Sequence, residues 1–273
     1  MKKFSVLMSL YIKEKPEYAQ MCFESLLRQT IQADEWVIVE DGPLSEEMYA
    51  LLEKYQNAYP GLIKLVILEK NQGLGLALRA GVAECRNELI ARMDTDDIAR
   101  EDRFEKQLAE FEKDSKLDIC GSHIIEFEGS INNELSRRRV PIKHDDIVKY
   151  QKTRSAFNHM TVMYKKEAVV KAGNYEHCPL MEDDILWARM ILSGARCSNI
   201  DDFLVYARTG IAMIKRRGGL AYFRKYKYGK KKLLSIGFID YVDYFKAIIP
   251  QIFVAIIPSN FRLYVFQKLL RRK

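Results

Sequence analysis

Four short apolar runs, Phe4 to Leu10, Glu35 to Glu40, Leu62 to Leu68 and Glu88 to Met93, recur along the N-terminal part of the chain. A helical pattern fills each gap. After Pro16, Tyr18, Met21, Cys22, Ser25, Leu26 and Gln29 recur at three- and four-residue steps. Met48, Leu51, Leu52 and Tyr55 do the same after the second run, and a third helix is predicted from Leu74 to Cys85. Strands alternating with amphipathic helices are joined by crossovers, so this rhythm predicts an α/β fold. Its sheet is mainly parallel, covered on both faces, with ligands at the strand C-terminal ends. After a helix from Glu101 to Lys113 the rhythm changes. Leu117 to Phe127 and Ile131 to Val140 read as strands of a partly antiparallel region, and His144 to Gln151 as a helix. Met160 to Tyr164 reads as a short strand, and Glu182 to Ser193 as a helix stopped by Gly194.

The 273 residues are 48 % hydrophobic, which suffices for one sizeable core plus an appendage. The net charge of +7 hides a division: from Leu204 onward 16 Lys and Arg face 2 Asp and Glu, a surplus of +14, so everything before carries −7. From Gly218 aromatics interleave with Lys and Arg. Ala247 to Phe261 is then almost uncharged, but it holds Pro250 and Pro258 and is shorter than the roughly 20 residues needed to span a bilayer. Such a tail is expected to lie on an anionic membrane surface, the other reading being that it packs on the body or a partner. No nucleic-acid reader motif accompanies its charge, so no nucleic-acid partner is expected. Cys22, Cys85, Cys120, Cys178 and Cys197 lack paired spacing, which predicts buried, reduced thiols in a cytoplasmic protein. Met1-Lys2-Lys3 leads into a strand with no small-residue cleavage site, unlike a signal peptide.

Met93-Asp94-Thr95-Asp96-Asp97 sits at a strand end just before a helix. Three carboxylates repel one another there unless they share a hard divalent cation, although Asp97 or Asp102 could simply favour the N-terminus of that helix. Asp41, closing the second strand in Glu40-Asp41-Gly42, has two readings. It is half of a favoured Asp-Gly turn, or it accepts a base N–H in a pocket shared with Asp94. Tyr11, at the end of the first strand, is placed to stack on the same base. Gly73 and Gly75 begin a dinucleotide fingerprint that Leu78 leaves incomplete, and they follow the third strand, which argues against a dehydrogenase. Glu182-Asp183-Asp184 opens a helix, where the macrodipole favours acids and also keeps a general base ionised. His159 lies against a strand, where a lone histidine is more often structural than a ligand. The sequence contains no zinc-type Cys/His set, P-loop or G-x-S-x-G.

In this order the motifs resemble those of the family 2 glycosyltransferases of GT-A fold, which include bacterial exopolysaccharide, capsule and lipopolysaccharide sugar transferases. Ser5 to Tyr11 resembles the first strand, Ser25-Leu26-Leu27-Arg28-Gln29-Thr30 a helix end, and Val39-Glu40-Asp41-Gly42 the second strand end. Asn71-x-Gly73 to Ala77, the run from Met93 to Asp97, Asp102-Arg103 and Glu182-Asp183 follow at the intervals of that family. The resemblance covers residues 4 to about 210. It implies that Tyr11 stacks on the nucleotide base, Asp41 binds its polar edge, Asp94 holds ribose or metal, Asp96 coordinates Mn²⁺ or Mg²⁺, and Asp183 is the catalytic base. It divides a catalytic domain, residues 1–217, into a nucleotide-binding half (1–100) and an acceptor-binding half (101–217), with 218–273 as a basic helical tail. Ile12 stands where many relatives have Asn, and Arg79 replaces another Asn. Asn158-His159-x-Thr161-Val162-Met163 and Arg216-Arg217-Gly218-Gly219 resemble a subset of polysaccharide-assembly transferases.

The resemblance implies an inverting, metal-dependent transferase. It would move a sugar from a nucleoside diphosphate, UDP foremost, to a saccharide or lipid-linked saccharide acceptor at the inner face of the cell membrane. The alternative is a non-catalytic nucleotide-sugar-binding subunit of an assembly complex. A sugar-1-phosphate nucleotidyltransferase would need a glycine-rich loop after the first strand, which is missing.

Overall fold

The structure, a computed structural model, describes residues 2–210 and 219–256. Its first half follows the expected rhythm: β1 (Phe4–Leu10), α1 (Pro16–Leu27), β2 (Glu35–Asp41), α2 (Glu46–Ala58), β3 (Ile63–Leu68), α3 (Leu74–Glu84) and β4 (Leu89–Arg92). These strands are parallel, in the order β3-β2-β1-β4. The chain runs outward from β1 to β3 and then returns to β4 on β1's other side. That reversal opens a crevice between β1 and β4 at their C-terminal ends.

The second half makes the sheet mixed. β5 (Ile98–Ala99) and α4 (Arg103–Lys113) precede β6 (Leu117–Glu128), β7 (Ser130–Arg138), α5 (His144–Gln151), a 3₁₀ turn at His159–Thr161 and β8 (Met163–Lys165). Then come α6 (Lys166–Lys171), α7 (Glu182–Leu192) and β9 (Arg196–Arg208). β8 runs antiparallel between β4 and β6, while β6 pairs parallel with β9. Alternating side chains build two cores. Val6, Met8, Trp36 and Ile38 pack with α1, α2 and α4 on one face, and Leu7, Val37, Val39 and Ile90 pack with α3 and α7 on the other.

Three departures have local causes. α4 begins at Arg103, two residues beyond the expected Glu101, because the Arg100 guanidinium grips Asp102 in the preceding turn. Thr161 Oγ1 accepts from Ser122 N, which holds residues 159–161 as a 3₁₀ turn and leaves β8 to start at Met163. β9 was not anticipated, and it carries the acidic pair Asp201-Asp202. In the structure that pair lies where the β6–β9 register shifts, and both acids are paired: Asp201 with the His123 ring and with Arg139, Asp202 with Arg100 and Lys106.

The tail forms α8 (Gly219–Ser235) and α9 (Tyr241–Ile256). Both pack on the body: Leu233, Phe238, Ile239, Tyr244 and Ile248 share a core with Met181, Ile185 and Ala188. Arg216, Arg217 and Gly218, with the end of the apolar stretch beyond Ile256, lie outside the described residues. No helix among the described residues is long and apolar enough to cross a membrane.

Candidate active site

The acidic run is the centre of the site. β4 delivers Asp94, Asp96 and Asp97 to the mouth of the crevice, where one carboxylate oxygen from each lies within 4.8 Å of the others. Clamps from both sides fix this loop. Ser25 Oγ accepts from Ala99 N at 3.1 Å, Gln29 Nε2 donates to Arg100 O at 2.7 Å, and Gln29 Oε1 accepts from Phe104 N at 3.2 Å. The Ser25 to Thr30 motif therefore shapes the acidic loop without entering the crevice. Arg103, fully buried, donates to Arg92 O at 2.7 Å from beneath.

The electrostatics fit a missing positive charge. Asp96 is pushed up to about 6, first by burial and then by the Asp94 charge. Burial, then Asp96 and Asp94, push Asp97 well above the carboxylate range. One Asp97 oxygen accepts from Arg208 N at 2.7 Å, whereas Oδ2 is buried without a hydrogen-bond partner. Convergent oxygens, mutual repulsion and an orphaned acceptor match the donor set of a hard divalent cation. Asp97 thus belongs to the cluster, bonded to β9, and does not cap α4.

Asp41 is tied to a neighbouring loop. Its Oδ1 accepts from Gln72 N at 2.6 Å and its Oδ2 from Gly73 N at 3.0 Å, so both oxygens anchor the loop leading into α3. Gly42, at φ +82°, lets that loop press close: a Cβ there would lie 2.6 Å from Asn71 N. Its neighbour Glu40 is 2 % exposed, and burial raises its carboxyl. Residues 40 and 41 alternate across the sheet, and sequence alone did not say which acid the loop would claim. Tyr11 stands at the end of β1, half-buried beside the crevice.

Asp183 stands in the first turn of α7, beside Glu182, which lies within electrostatic reach of Asp94 and Arg92. The α3 N-terminus abuts that turn so closely that a Cβ on Gly75 would sit 2.3 Å from Glu176 O and 3.1 Å from Glu182 Cβ. Burial, then Asp184 and Glu182, raise Asp183 well above the carboxylate range. Asp184 accepts from Gln151 Nε2 at 2.6 Å. His159 is structural: its Nε2 meets Tyr175 Oη at 3.0 Å, and burial, then Arg92, keep it neutral. Arg79 does not reach the crevice but ties α3 to residues 173–175, and Ile12 is exposed.

Arg92, Arg208 and Glu14 were missed. Arg92 ion-pairs with Asp94, Arg208 Nε donates to Asp96 O at 2.9 Å, and Glu14 is raised to about 7 by burial and then by Asp96 and Asp94. A charged residue inside an apolar strand, as in Ala91-Arg92-Met93, was the available signal for Arg92.

Residues 5–171 match the family described as Glycosyl transferase family 2. The chain belongs to glycosyltransferase family 2. This glycosyltransferase is 42 % identical over 246 residues to the amylovoran biosynthesis glycosyltransferase AmsE of Erwinia amylovora, covering 89 % of this chain and 91 % of the relative. It is 36 % identical over 270 residues to an Escherichia coli UDP-Gal:alpha-D-GlcNAc-diphosphoundecaprenol beta-1,3-galactosyltransferase, covering 99 % and 97 %. Among solved structures, S. aureus TarS 1-349 in complex with UDP-GlcNAc aligns with a TM-score of 0.64 at 19 % identity, over 98 % of this glycosyltransferase and 76 % of that chain. The Pyrobaculum calidifontis mannosyltransferase PcManGT in complex with GDP-Man and Mn²⁺ aligns with a TM-score of 0.64 at 14 % identity, over 96 % and 72 %. The fold of this glycosyltransferase is GT-A.

Proposed function

We propose that the enzyme transfers a sugar, with inversion, from a UDP-sugar to a lipid-linked saccharide during cell-surface polysaccharide assembly. The convergence of Asp94, Asp96 and Asp97, with Glu182 in the first turn of α7 within electrostatic reach of Asp94, carries this reading. Asp96, with Asp94 and Asp97, would hold Mn²⁺ or Mg²⁺, which supplies charge neutralisation for the leaving diphosphate. Tyr11 stacks on the base and Asp41, which also keeps the 71–73 loop in place, accepts from its N–H edge. Asp183 takes the proton of the acceptor hydroxyl as that oxygen bonds to the anomeric carbon and the carbon–phosphate oxygen bond breaks. A single displacement turns an α-linked donor into a β-linked product. The E. coli relative acts on a diphosphoundecaprenol-linked GlcNAc with UDP-Gal, which supports the donor and acceptor classes. Incubating the protein with manganese, UDP-galactose and GlcNAc-diphosphoundecaprenol should release UDP and give a β-linked product by NMR. An α-linked product, or no UDP release with any UDP-sugar or polyprenyl-linked acceptor tested, would overturn the proposal.

The tail supports a peripheral site of action at the inner membrane face. α9 buries Tyr244, Ala247 and Ile248 but exposes Tyr241, Val242, Phe245, Ile249 and Phe253 along its opposite face. Arg224, Lys225, Lys227 and Lys231 are exposed on neighbouring α8. An apolar stripe beside a basic cluster suits the interface of an anionic bilayer. Truncating the tail would expose the core around Ile185, so the clean test is on the surface. Phe245→Glu with Phe253→Glu should cut co-sedimentation with phosphatidylglycerol vesicles by about tenfold or more while the melting temperature stays unchanged. Undiminished pelleting would refute the membrane role.

A further inference from the structure

The acidic loop is anchored at both ends by α1, where Cys22 Sγ donates to Asp94 O at 3.4 Å and Ser25 Oγ accepts from Ala99 N at 3.1 Å. Residues 96 and 97, between these anchors, are tied to β9. Arg208, the last residue of that strand, gives its backbone N–H to Asp97 Oδ1 at 2.7 Å and its Nε–H to Asp96 O at 2.9 Å. The other two guanidinium nitrogens go elsewhere. Nη1 donates to Gly129 O, at the turn between β6 and β7, at 3.1 Å, and Nη2 meets Met21 Sδ at 3.4 Å. The guanidinium also lies over two rings, with Cζ 3.9 Å from the centre of Tyr18 and 4.6 Å from that of Phe127. One side chain thus joins the acidic loop to α1, to the end of β6 and to the β6–β7 turn.

A fixed cation beside a cation site works against the incoming ion, so its presence calls for a compensating gain. The acceptors of the Arg208 guanidinium are all neutral, two carbonyls and a thioether. Its charge still reaches the cluster: burial and then Asp94 push the Asp96 carboxyl up, while Arg92 and Arg208 pull it back. Three carboxylates with oxygens within 4.8 Å of one another repel, and in the absence of an ion that repulsion works to spread the loop. Arg208 offsets the repulsion and fixes the backbone at the same time. The cluster then keeps its shape before the ion arrives, and less ordering remains to be done on binding. We propose that Arg208 is a positioning residue that holds Asp96 and Asp97 in the arrangement that binds a divalent cation. This rests on the cation reading of the cluster. Three nitrogens of one planar group serve three separate segments, whereas the single ammonium of a lysine keeps the charge but cannot reach all three acceptors.

Full-length wild type, Arg208→Met and Arg208→Lys would be titrated calorimetrically with Mn²⁺ in the absence and presence of UDP, and amide hydrogen exchange would be followed on the metal-free proteins. Arg208→Met keeps an apolar side chain against Tyr18 and Phe127 but loses the donors and the charge. It should weaken Mn²⁺ binding by about 10- to 100-fold. It should also speed exchange at the Asp97 and Ala99 amides, which bond to Asp94 O and Ser25 Oγ, while β1 and β2 exchange as in the wild type. Arg208→Lys should recover only part of the affinity. If Arg208→Met does not fold, weaker Mn²⁺ binding with faster exchange confined to those amides in Arg208→Lys carries the proposal. Tighter Mn²⁺ binding in Arg208→Met would make the arginine a competing charge and nothing more. Unchanged binding, or faster exchange spread evenly over the sheet, would make it a residue of the fold alone, and any of these results overturns the proposal. A wild type that binds no Mn²⁺ with or without UDP would overturn the cation reading itself, and the Arg208 assignment with it.

Discussion

Asp183→Asn is expected to lower turnover by about 10²- to 10⁴-fold while leaving UDP affinity almost unchanged. The amide fits the same space in the first turn of α7 but cannot accept the acceptor's proton. The wild-type carboxyl is raised well above its ordinary range by burial, then by Asp184 and Glu182, so it is a stronger base once ionised. The acidic limb of the rate profile should accordingly fall as pH drops through the Asp183 value, and the residual Asp183→Asn rate should lack that limb. A variant that keeps more than about a tenth of wild-type turnover would remove Asp183 from the role of base. A protein that binds UDP-sugar but shows no turnover to lose would favour the non-catalytic subunit.

Asp96→Ala is expected to abolish stabilisation by manganese and to lower activity by about 10²- to 10³-fold. Cation binding at 100 times its dissociation constant adds about 2.7 kcal/mol to folding, several degrees in melting temperature. The sign with pH follows from the carboxyl's shift from 3.8 to about 6, caused first by burial and then by Asp94. A raised folded-state value favours the protonated form. The metal-free protein therefore holds this contribution fully below about pH 4 and loses it as pH rises through about 6. Manganese requires the ionised form, so its stabilisation runs the opposite way: largest above pH 7 and shrinking as pH falls through 6. Thermal melts with manganese or EDTA at pH 5 and 7.5 check this. Equal metal shifts at both values, or a shift retained in Asp96→Ala, would take the cation away from Asp96.

Periodicity made the parallel half of the fold legible, because β1 to β4 and α1 to α3 each obey a local rule of spacing. β9 escaped because its Asp201-Asp202 pair interrupts the apolar pattern and is held by Arg100, Lys106, His123 and Arg139, all distant in sequence. The site divides along the same line. Asp94, Asp96 and Asp183 stand at element ends that the pattern marks. The ties from Asp41 to Gln72 N and from Asp97 to Arg208 N depend on which backbone arrives from 31 or 111 residues away. No neighbouring residue carries that information. Arg92 could have been singled out by its charge within an apolar strand, but its partner Asp94 had already been assigned to ribose or metal.

The seating of α8 and α9 on the back of α7 bears on how this chain can be recombined. Met181, Ile185 and Ala188 face Leu233, Phe238 and Ile248 on the helix that presents Asp183 at its head. A hybrid that exchanges residues 1–100 with a relative cuts through little of this packing. One that exchanges residues 101–217 must carry α7, α8 and α9 as a single cassette, because a foreign tail would meet a helix surface moulded to another partner. On the proposed reading, acceptor preference and attachment to the bilayer would then be inherited together.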